Sequence, residues 1–582
     1  MADVTPQRTA YHLGILKRLA QISKAFFFTA NRREVRLLVA AMLGLCLAVG
    51  MLQIFVSFAG RNFVTSLVQR DSTGFYRNLW IYLASFALAV PVGVFYRYTS
   101  ERLSLLWRQW MTHLLVKRYF FNRAYYRLRS SNRVDNPDQR ISEDVKSFTT
   151  GVLGYLLTLI NSVVTLFAFL GVLWMISWQL PTGLLLYTTI GTALSILIGR
   201  RLVGLHFHQY QKEADFRYSL IRVRDNAESI AFFRGEKREH RDLVGRFSEV
   251  VTNTLKIIGW NRTLGFFTNS YNYVALIVPT LIVGPMYIRG LVEFGVVTQA
   301  ESAFAQVLMA LSVIIVQFES LSAFAAGIKR LGDLWDELDE FDSEDALMEK
   351  GSQIAVDENT RRLRLLDLTV QTPGGEKTLT RKLNFTLPPG KSVLIMGPSG
   401  TGKSSLLRTI AGLWQSGEGS IERPGLNSLI FLSQRPYMVQ GNLRAQLVYP
   451  QSEEAADDDL IREALKKVNF SEVLDRVDGD FARIIDWTNI LSLGEQQRVS
   501  FARIFLRKPV LAFLDEATSS LDETNERELY ESLRGLGISF VSVGHRSTLK
   551  EFHDQLIVLN KDGTVEITEL THEIAGVAGV AA

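Results

Sequence analysis

Six long apolar runs lie in the first 340 residues of the chain, separated by stretches rich in charge. A helix needs ~20 mostly apolar residues to cross roughly 30 Å of hydrocarbon. The pattern therefore predicts an all-α transmembrane domain of six helices. The fourth run is short, so its helix must be tilted or longer than the run. The predicted spans are Leu37 to Phe58, Leu79 to Phe95, Val152 to Trp174, Leu184 to Ile198, Phe266 to Tyr287 and Val297 to Phe318.

From about Asp342 onward the chain mixes apolar and charged residues in the manner of a soluble domain. At 582 residues it is too long for one domain, so the change marks a boundary. The predicted parts are residues 1–35, a cytoplasmic lead with an interfacial helix; 36–340, the transmembrane domain; 341–357, a linker; 358–570, an α/β nucleotide-binding domain; and 571–582, a C-terminal tail.

The segment from Ile15 to Phe28 combines basic residues with an apolar face. This pattern predicts a helix on the membrane surface, and a frayed cytoplasmic lead is the alternative. The first thirty residues lack the apolar core and small-residue end of a cleavable signal peptide. Cys46, the only cysteine, lies in the first predicted span, which excludes a disulfide within the chain and a cysteine-based metal site.

Basic residues flank the predicted spans unevenly. They are frequent before the first span and between Arg97 and Lys146, whereas the turn from Ser177 to Pro181 carries no charge. Cytoplasmic loops hold the excess of Lys and Arg, so both termini are predicted to be cytoplasmic. Anionic lipid headgroups account for the formal net charge of +5, and no nucleic-acid partner is needed. Without an evident targeting segment, a bacterial inner membrane is favoured over an organelle.

The sequence GPSGTGKS follows a short apolar run and opens into a predicted helix. In such a P-loop, backbone N–H groups and the positive helix end hold phosphates, Lys403 reaches the β and γ oxygens, and Ser404 binds Mg²⁺. Taken alone, the motif predicts a nucleoside triphosphate with Mg²⁺; ATP and Mg²⁺ as the cofactors follow from the family resemblance given below. The predicted ATP contacts here are Gly397, Ser399, Gly400, Thr401, Gly402, Lys403, Ser404 and Ser405.

Two adjacent carboxylates end the apolar run that begins at Val510. Asp515 suits the Mg²⁺ shell, and Glu516 suits a general base that takes a proton from the attacking water. A strand that simply ends in acidic turn residues is the alternative. The residues that follow, up to Asp522, and His545 after the next apolar run favour the catalytic interpretation.

A third segment, Leu491 to Arg498, precedes the carboxylates and opens another helix. Ser492 and Gly494 at its start offer a hydroxyl and backbone donors to a phosphate. The chain's own P-loop already performs that task.

Together these motifs, in this order, resemble those of the ABC transporter ATPase family over roughly the last two-fifths of the chain. The resemblance implies that the segment with Ser492, Gly494 and Glu495 caps the ATP of a partner subunit, so a homodimer is the simplest assembly. It further implies that Gln434 is the Q-loop ligand of Mg²⁺ and Asp522 the D-loop aspartate. His545 is then the switch histidine at the γ-phosphate.

Two features depart from the family pattern. Leu493 stands where the first of two consecutive signature glycines is usual. Its side chain either clashes with a closely bound phosphate or points away. The stretch from Val370 to Pro373 lacks the aromatic residue that normally stacks on adenine, which leaves the base preference open.

Three further stretches resemble the peroxisomal acyl-CoA transporter subfamily, ABCD, and bacterial SbmA/BacA-like permeases fused to an ATPase. These are Asn136 to Val145, Asn226 to Glu236, and Asp486 to Ile490. The first two are polar breaks suited to docking on a soluble domain, or ordinary hairpin tips. The resemblance implies an exporter-type fold. Because the bacterial relatives include importers of cobalamin and peptides, direction does not follow from that fold.

Three polar residues of the sixth span form a candidate transport path. Glu301 and Glu319 are eighteen residues apart, which is five helical turns, and Ser312 lies near the same face. Such a stripe favours a wet cavity and hydrophilic cargo. The alternative is that both glutamates lie at the membrane surface.

The sequence thus predicts an ATP-driven homodimeric transporter in a lipid bilayer, importing peptides or cobalamin-like compounds by alternating access. A long-chain acyl-CoA or fatty acid transporter remains an alternative. A membrane-anchored ATPase that acts as a regulator is another, although intact Lys403, Glu516 and His545 argue against it.

Overall fold

The structure is a computed structural model that describes residues 18–19, 21–27, 32–131, 133–316, 318–342, 354–372 and 375–570. The chain divides into two compact units, Met1–Ser343 and Glu344–Ala582. This division falls inside the predicted linker, 341–357. The predicted tail, 571–582, lies outside the described residues.

The first unit is entirely helical in its described residues. Six of its helices are long and apolar enough to cross a membrane, as the sequence predicted. Its helices are α1 Arg32–Val68, α2 Ser72–Phe120, α3 Ala124–Ser131, α4 Val145–Ile176, α5 Gln179–Asp225, α6 Ala227–Phe233, α7 Glu236–Ile288, α8 Phe294–Val316 and α9 Phe318–Asp342, with shorter helical turns at Phe121–Arg123, Pro137–Gln139 and Arg140–Asp144.

Three of the six helices run far beyond their apolar runs. The lengths of α2, α5 and α7 are 49, 47 and 53 residues. At 1.5 Å per residue, each is about two and a half times as long as the hydrocarbon layer is thick. The fourth predicted span, Leu184 to Ile198, is therefore the middle part of a much longer helix, which explains why its apolar run alone was short.

The N-terminal segment packs on the protein in its described part. Ile22 and Phe26 are buried, and the Phe26 ring stacks on Trp107 of α2 at 5.3 Å. Arg18 forms ion pairs with Asp333 and Asp336 of α9 at 2.7 and 2.8 Å. These apolar side chains thus face protein, while a position at the membrane surface stays a prediction.

The polar break predicted at Asn136 to Val145 forms two helical turns that lead into α4. Two of its charged side chains, Arg140 and Asp144, are buried. Arg140 donates to the carbonyl of Arg330 on α9, and the Arg330 guanidinium donates to both Asp144 oxygens at 2.6 and 2.9 Å. These hydrogen bonds therefore attach the segment Asn136 to Val145 to α9 within the first unit.

Acidic residues along α9 pair with arginines from other elements. Besides the two pairs of Arg18, Arg118 of α2 pairs with Asp339 and lies over the Trp335 ring. Arg133 approaches Glu337 and Glu340 at 3.6 and 3.5 Å. We refer to these contacts, with the Arg330–Asp144 pair, as the α9 ion-pair row.

The second unit contains two main sheets. A six-stranded sheet has the order β12-β11-β4-β10-β9-β6, parallel except for the β12–β11 pair, and a four-stranded sheet has the order β1-β5-β2-β3. The strands are β1 Ala355–Asp357, β2 Asn359–Gln371, β3 Thr378–Leu387, β4 Ser392–Met396, β5 Gly417–Pro424, β6 Leu429–Leu432, β7 Gly441–Asn442, β8 Ile484–Ile485, β9 Leu511–Asp515, β10 Ser539–Val543, β11 Gln555–Leu559 and β12 Val565–Glu569.

Helices of this unit pack on the parallel sheet, whose central strands are almost wholly buried. This arrangement confirms the predicted α/β class. Burial on both faces favours continuous apolar runs, which β4 and β9 have after or before one polar residue, whereas β10 also buries Ser539 and Ser542. The helices are α10 Lys403–Ile410, α11 Leu443–Val448, α12 Asp458–Lys467, α13 Trp487–Ile490, α14 Leu493–Arg507 and α15 Glu523–Gly535, with 3₁₀ turns at Leu426–Ser428, Glu453–Ala455, Ser471–Val477 and Ser547–Phe552.

Candidate active site

The P-loop connects β4 to α10 at the carboxyl edge of the parallel sheet. Gly397, Gly400 and Gly402 have φ angles of 148°, 80° and 96°, a region that L side chains rarely adopt. A Cβ on Gly397 would lie 2.3 Å from the Leu559 carbonyl oxygen. Glycine is therefore required there both for the backbone turn and for contact with β11.

Other side chains of the loop differ in exposure. Ser399 is exposed, whereas Thr401 is buried and its hydroxyl donates to the Pro398 carbonyl at 3.0 Å. Ser405 lies in the first turn of α10 and is half-buried. Thr401 thus holds the loop in shape, and the direct ATP contact predicted for its side chain stays a prediction.

Lys403 begins α10 with a buried side chain. Its Nζ donates to the carbonyls of Gly397 and Pro398 at 2.9 and 3.0 Å. Burial lowers the pKa of Lys403, while the charges of Glu516 and Asp515 oppose this shift. The ammonium group is thus held inside the loop, where phosphate oxygens would be stronger acceptors than the two carbonyls.

Ser404 and Asp515 meet across the gap between α10 and the end of β9. The Ser404 hydroxyl donates to Asp515 Oδ1 at 2.9 Å. Burial raises the pKa of Asp515, and the neighbouring charge of Glu516 adds to this effect. A partly buried carboxylate beside a second carboxylate favours a bound cation.

This oxygen pair fits Mg²⁺. The ion is commonly held by one or two carboxylates together with phosphates and water. Within the described residues, no group of three or more His, Cys, Asp and Glu side chains is placed to hold a metal ion by itself. Ser404 and Asp515 would therefore hold Mg²⁺ only jointly with the nucleotide.

Glu516, Gln434 and His545 come together although they are far apart in sequence. Gln434 Nε2 donates to Glu516 Oε2 at 2.9 Å, and His545 Nε2 lies 3.2 Å from Glu516 Oε1. Both carboxylate oxygens are therefore oriented by a neighbour. The structure thus assembles the three residues that the sequence assigned to catalysis, and their roles stay predictions.

The backbone at Glu516 is unusual. Its φ angle is +51°, which is uncommon for a residue other than glycine, and its N–H donates to Val543 of β10 at 3.0 Å. Residues in such conformations cost of order 1–3 kcal/mol and cluster at functional sites. The strained turn directs the side chain toward Gln434 and His545.

The segment predicted to cap a partner's nucleotide forms the start of α14. Ser492 is the N-cap, and its hydroxyl accepts from the Glu495 N–H at 3.4 Å. The Glu495 carboxylate accepts from the Ser492 N–H at 2.7 Å and pairs with Arg476. A Cβ on Gly494 would lie 3.0 Å from the Ser520 carbonyl oxygen, so the helix start packs closely on that loop.

The structure shows how exposed the Leu493 side chain is and which groups bond to the Asp522 carboxylate. The Leu493 side chain is exposed on the first turn of α14. Asp522 is the N-cap of α15, and its two oxygens accept from the backbone and side-chain nitrogens of Asn525, both at 2.8 Å. Those hydrogen bonds lower the pKa of Asp522. Its carboxylate is therefore engaged by its own helix.

Replacing Glu495 by Gln should make the protein less sensitive to acid. Burial raises the pKa of Glu495, but hydrogen bonds from Arg476 and Ser492 outweigh it and hold that pKa below its usual range. A depressed pKa contributes stability above the ordinary carboxyl pKa, and this is lost as the pH falls through the folded value, between about pH 5 and 3.

Thermal unfolding of the full chain in detergent at pH 7 and pH 4 tests this. The wild type should lose more stability over this interval than Glu495→Gln. Glu472→Gln, at an exposed carboxylate 3.7 Å from Arg498, is the control and should match the wild type. Equal acid sensitivity of the wild type and Glu495→Gln would show that the Glu495 carboxylate does not contribute this stability.

The candidate transport path lies in α8 and α9 of the first unit. Glu301 is half-buried, and its carboxylate accepts a hydrogen bond from the Thr280 hydroxyl of α7. The Ser312 hydroxyl donates to Leu308 of its own helix at 2.8 Å. Glu319 belongs to α9, but its side chain lies outside the described residues. Whether the three residues share a cavity stays a prediction.

Two polar residues near Glu516 were not assigned from the sequence. Gln497 of α14 is completely buried and bonds to Gln434 and to the loop after Glu516. Arg546 donates to the carbonyls of Ser519 and Leu521. Gln497 lies inside the segment Leu491 to Arg498, but the spacing of residues in that segment does not reveal its contacts.

Comparison with known families agrees with this geometry. The family described as ABC transporter transmembrane region 2 matches residues 22–288, and the ABC transporter family matches residues 380–519. The first match falls in the helical unit. The second includes the P-loop, the start of α14 and the carboxylates.

Several proteins of known sequence are similar over nearly the whole chain. An uncharacterised ABC transporter ATP-binding protein of Synechocystis is 43% identical, covering 96% of this chain and 86% of its own. The chloroplastic ABC transporter D family member 2 of Arabidopsis thaliana is 39% identical, covering 96% and 88%. The human lysosomal cobalamin transporter ABCD4 is 30% identical, covering 97% and 98%. With six membrane-spanning helices and an ATPase unit in one chain, this protein belongs to the ABC transporter family, subfamily D.

Proposed function

We propose that two copies of this chain form a transporter that uses ATP to import hydrophilic cargo, such as peptides or cobalamin-like compounds, by alternating access. The observation that carries the ATP-driven part is the set of contacts around Glu516. Both of its oxygens are oriented, by Gln434 and His545, beside the Ser404–Asp515 pair. A regulatory protein that does not hydrolyse ATP would not require a carboxylate oriented in this way.

Each residue has a distinct task in hydrolysis. The P-loop N–H groups and Lys403 bind the phosphates, and Ser404 and Asp515 would hold Mg²⁺, which offsets charge on the phosphate oxygens. Glu516 accepts the proton of the attacking water, and His545 donates toward the γ-phosphate. Gln434 orients the base through its amide N–H group, and it stays a predicted ligand of Mg²⁺ as well.

The homodimer is supported by what one chain contains. Its P-loop binds one nucleotide, and the α14 start carries a further set of phosphate donors that has no second P-loop in this chain. A second copy supplies the nucleotide for that set. In the symmetric dimer each copy completes the other's site.

The hydrophilic cargo is supported by the Thr280–Glu301 contact. A carboxylate within a spanning helix usually faces the interior of the bundle or water. The relative from human lysosomes is named as a cobalamin transporter, which agrees with polar cargo. Basic residues before α1 support cytoplasmic termini, and we place the protein in a bacterial inner membrane.

Uptake into membrane vesicles tests this proposal. Inside-out and right-side-out vesicles containing the protein are given a labelled basic peptide, cobalamin or a long-chain acyl-CoA, with and without ATP. ATP-dependent movement of the peptide or cobalamin toward the cytoplasmic side is expected. Movement of acyl-CoA alone would overturn the hydrophilic assignment, and movement of polar cargo away from the cytoplasmic side would overturn import.

Replacing Glu301 by Gln should reduce transport more than ATPase activity. The carboxylate loses its charge but keeps an acceptor for the Thr280 hydroxyl, so the helices should still pack. We expect uptake to fall by about fivefold or more, because a charge at this depth acts on cargo or water, with basal ATPase within about twofold.

Glu293→Gln, in the exposed turn between α7 and α8, is the matched control and should leave both activities unchanged. Glu319→Gln tests the other end of the path in the same assay. Wild-type uptake in both Glu301→Gln and Glu319→Gln would remove these residues from the path.

A further inference from the structure

Gln497 lies at the junction of three segments of the ATPase unit. It belongs to the second turn of α14, and its side chain is completely buried. Nε2 donates to the Gln434 carbonyl at 3.0 Å and lies 3.3 Å from the Ser519 hydroxyl. Oε1 accepts from the Ser520 N–H at 3.1 Å. One amide thus joins α14, the Q-loop and the loop that follows Glu516.

Its partners fix the orientation of this amide. The Gln434 carbonyl can only accept a hydrogen bond, and the Ser520 backbone N–H can only donate one. Exchanging the amide oxygen and nitrogen would therefore place two acceptors and two donors face to face. Both ends of the side chain are specified, which requires an amide of this length.

The two segments that Gln497 joins lie on either side of Glu516. The Gln434 side chain donates to the Glu516 carboxylate, so Gln497 holds the backbone of the residue that orients the base. On the other side, the Ser519 N–H donates to the Glu516 carbonyl at 3.1 Å. A shift of Gln497 would consequently move both supports of Glu516.

The loop that follows Glu516 also contacts the start of α14. The close approach of Gly494 to the Ser520 carbonyl leaves little space for a side chain at position 494. The loop is also held by Arg546, the neighbour of His545, through the carbonyls of Ser519 and Leu521. Placement of the α14 start and placement of Glu516 are therefore linked through Ser519 and Ser520.

We propose that Gln497 is a positioning residue that links the α14 start, which serves the partner's nucleotide, to the Q-loop and Glu516 of its own site. The link within one chain follows from the contacts above, and the effect on the partner's site rests on the proposed homodimer. Without the amide, ATP still binds at the P-loop, but Glu516 loses its alignment and the two sites lose their mutual influence.

Two variants of Gln497 remove its hydrogen-bond donors while keeping the volume of the side chain similar. Gln497→Met removes all three hydrogen bonds at similar volume. Gln497→Glu keeps an acceptor for the Ser520 N–H but loses both donors. Asn384→Leu is the matched control, because the Asn384 amide also accepts from a backbone N–H, that of Asp367, and donates to a backbone carbonyl, that of Lys382, in the four-stranded sheet. Thermal unfolding of the purified full chain accompanies each variant.

We expect kcat for ATP to fall roughly 10- to 100-fold in Gln497→Met and Gln497→Glu, because small misplacements of a catalytic group have effects of this size. The Kd for ATP, measured with a fluorescent ATP analogue, should stay within about threefold of the wild type, as P-loop binding is retained. A Hill coefficient above 1 in the wild type should fall to about 1 in both variants. Asn384→Leu should match the wild type throughout.

Normal kcat in folded Gln497→Met and Gln497→Glu would overturn the positioning role. Loss of ATP binding in parallel with kcat would also overturn it, since that indicates general damage to the domain. An unchanged Hill coefficient would overturn the link to the partner's site. The dimer is measured separately by co-purification of two differently tagged chains, and failure there would overturn the homodimer while leaving the kcat comparison valid.

Discussion

Glu516→Gln should stop ATP turnover while ATP stays bound. The amide cannot accept the proton of the attacking water, and loss of a general base costs about 100- to 10,000-fold. The substitution keeps the shape of the side chain and an oxygen that accepts from Gln434. The backbone at φ +51° is unaffected, because only a terminal atom changes.

Two measurements test this expectation. Phosphate release by the purified protein should fall to near background, and ATP retained after gel filtration should exceed that of the wild type. Glu528→Gln, at an exposed glutamate of α15, is the control and should hydrolyse ATP normally. Hydrolysis by Glu516→Gln at the wild-type rate would show that another group is the base.

Lys403→Met should abolish tight ATP binding. The Lys403 ammonium lies inside the P-loop, where it already donates to two backbone carbonyls. A hydrogen bond to a charged group is worth about 1.5–3 kcal/mol, so we expect Kd to rise roughly 10- to 100-fold. Methionine fills the same buried space, which limits the effect on folding.

The Kd should be measured by titration with a fluorescent ATP analogue. Lys391→Met serves as the control, since Lys391 is an exposed lysine just before β4 that pairs with Asp554 at 2.9 Å. It should bind ATP normally. A Kd near the wild-type value in Lys403→Met would remove this lysine from the phosphate site.

The sequence identified residues that the structure brings together, because the motifs that contain them are local. The P-loop, the acidic end of β9 and His545, two residues after β10, each lie at a strand end, and parallel strands bring their carboxyl ends to one edge. The meeting of Glu516 with Gln434 and His545 follows from that topology. The positive φ of Glu516 was not predictable, because glutamate has no preference for it.

Other features depend on partners distant in sequence. The sequence showed the apolar part of the fourth span, but polar residues that extend a helix into water carry no such signal, so the full length of α5 was missed. The role of Glu495 in nucleotide binding stays a prediction, and its contact with Arg476, which is distant in sequence, did not follow from the motif. The contacts of Gln497 depend on where two loops lie after folding.

The α9 ion-pair row has a practical consequence for biochemistry on this protein. Its pairs are mostly partly exposed, and charges at a surface are screened over about 10 Å at 0.1 M ionic strength. The partners of α9 in these pairs come from the N-terminal segment, α2 and the residues before α4, so salt weakens several attachments of one helix at once. Buffer composition is therefore a variable in every comparison of variants, and extraction and assay should be done at one fixed, low ionic strength.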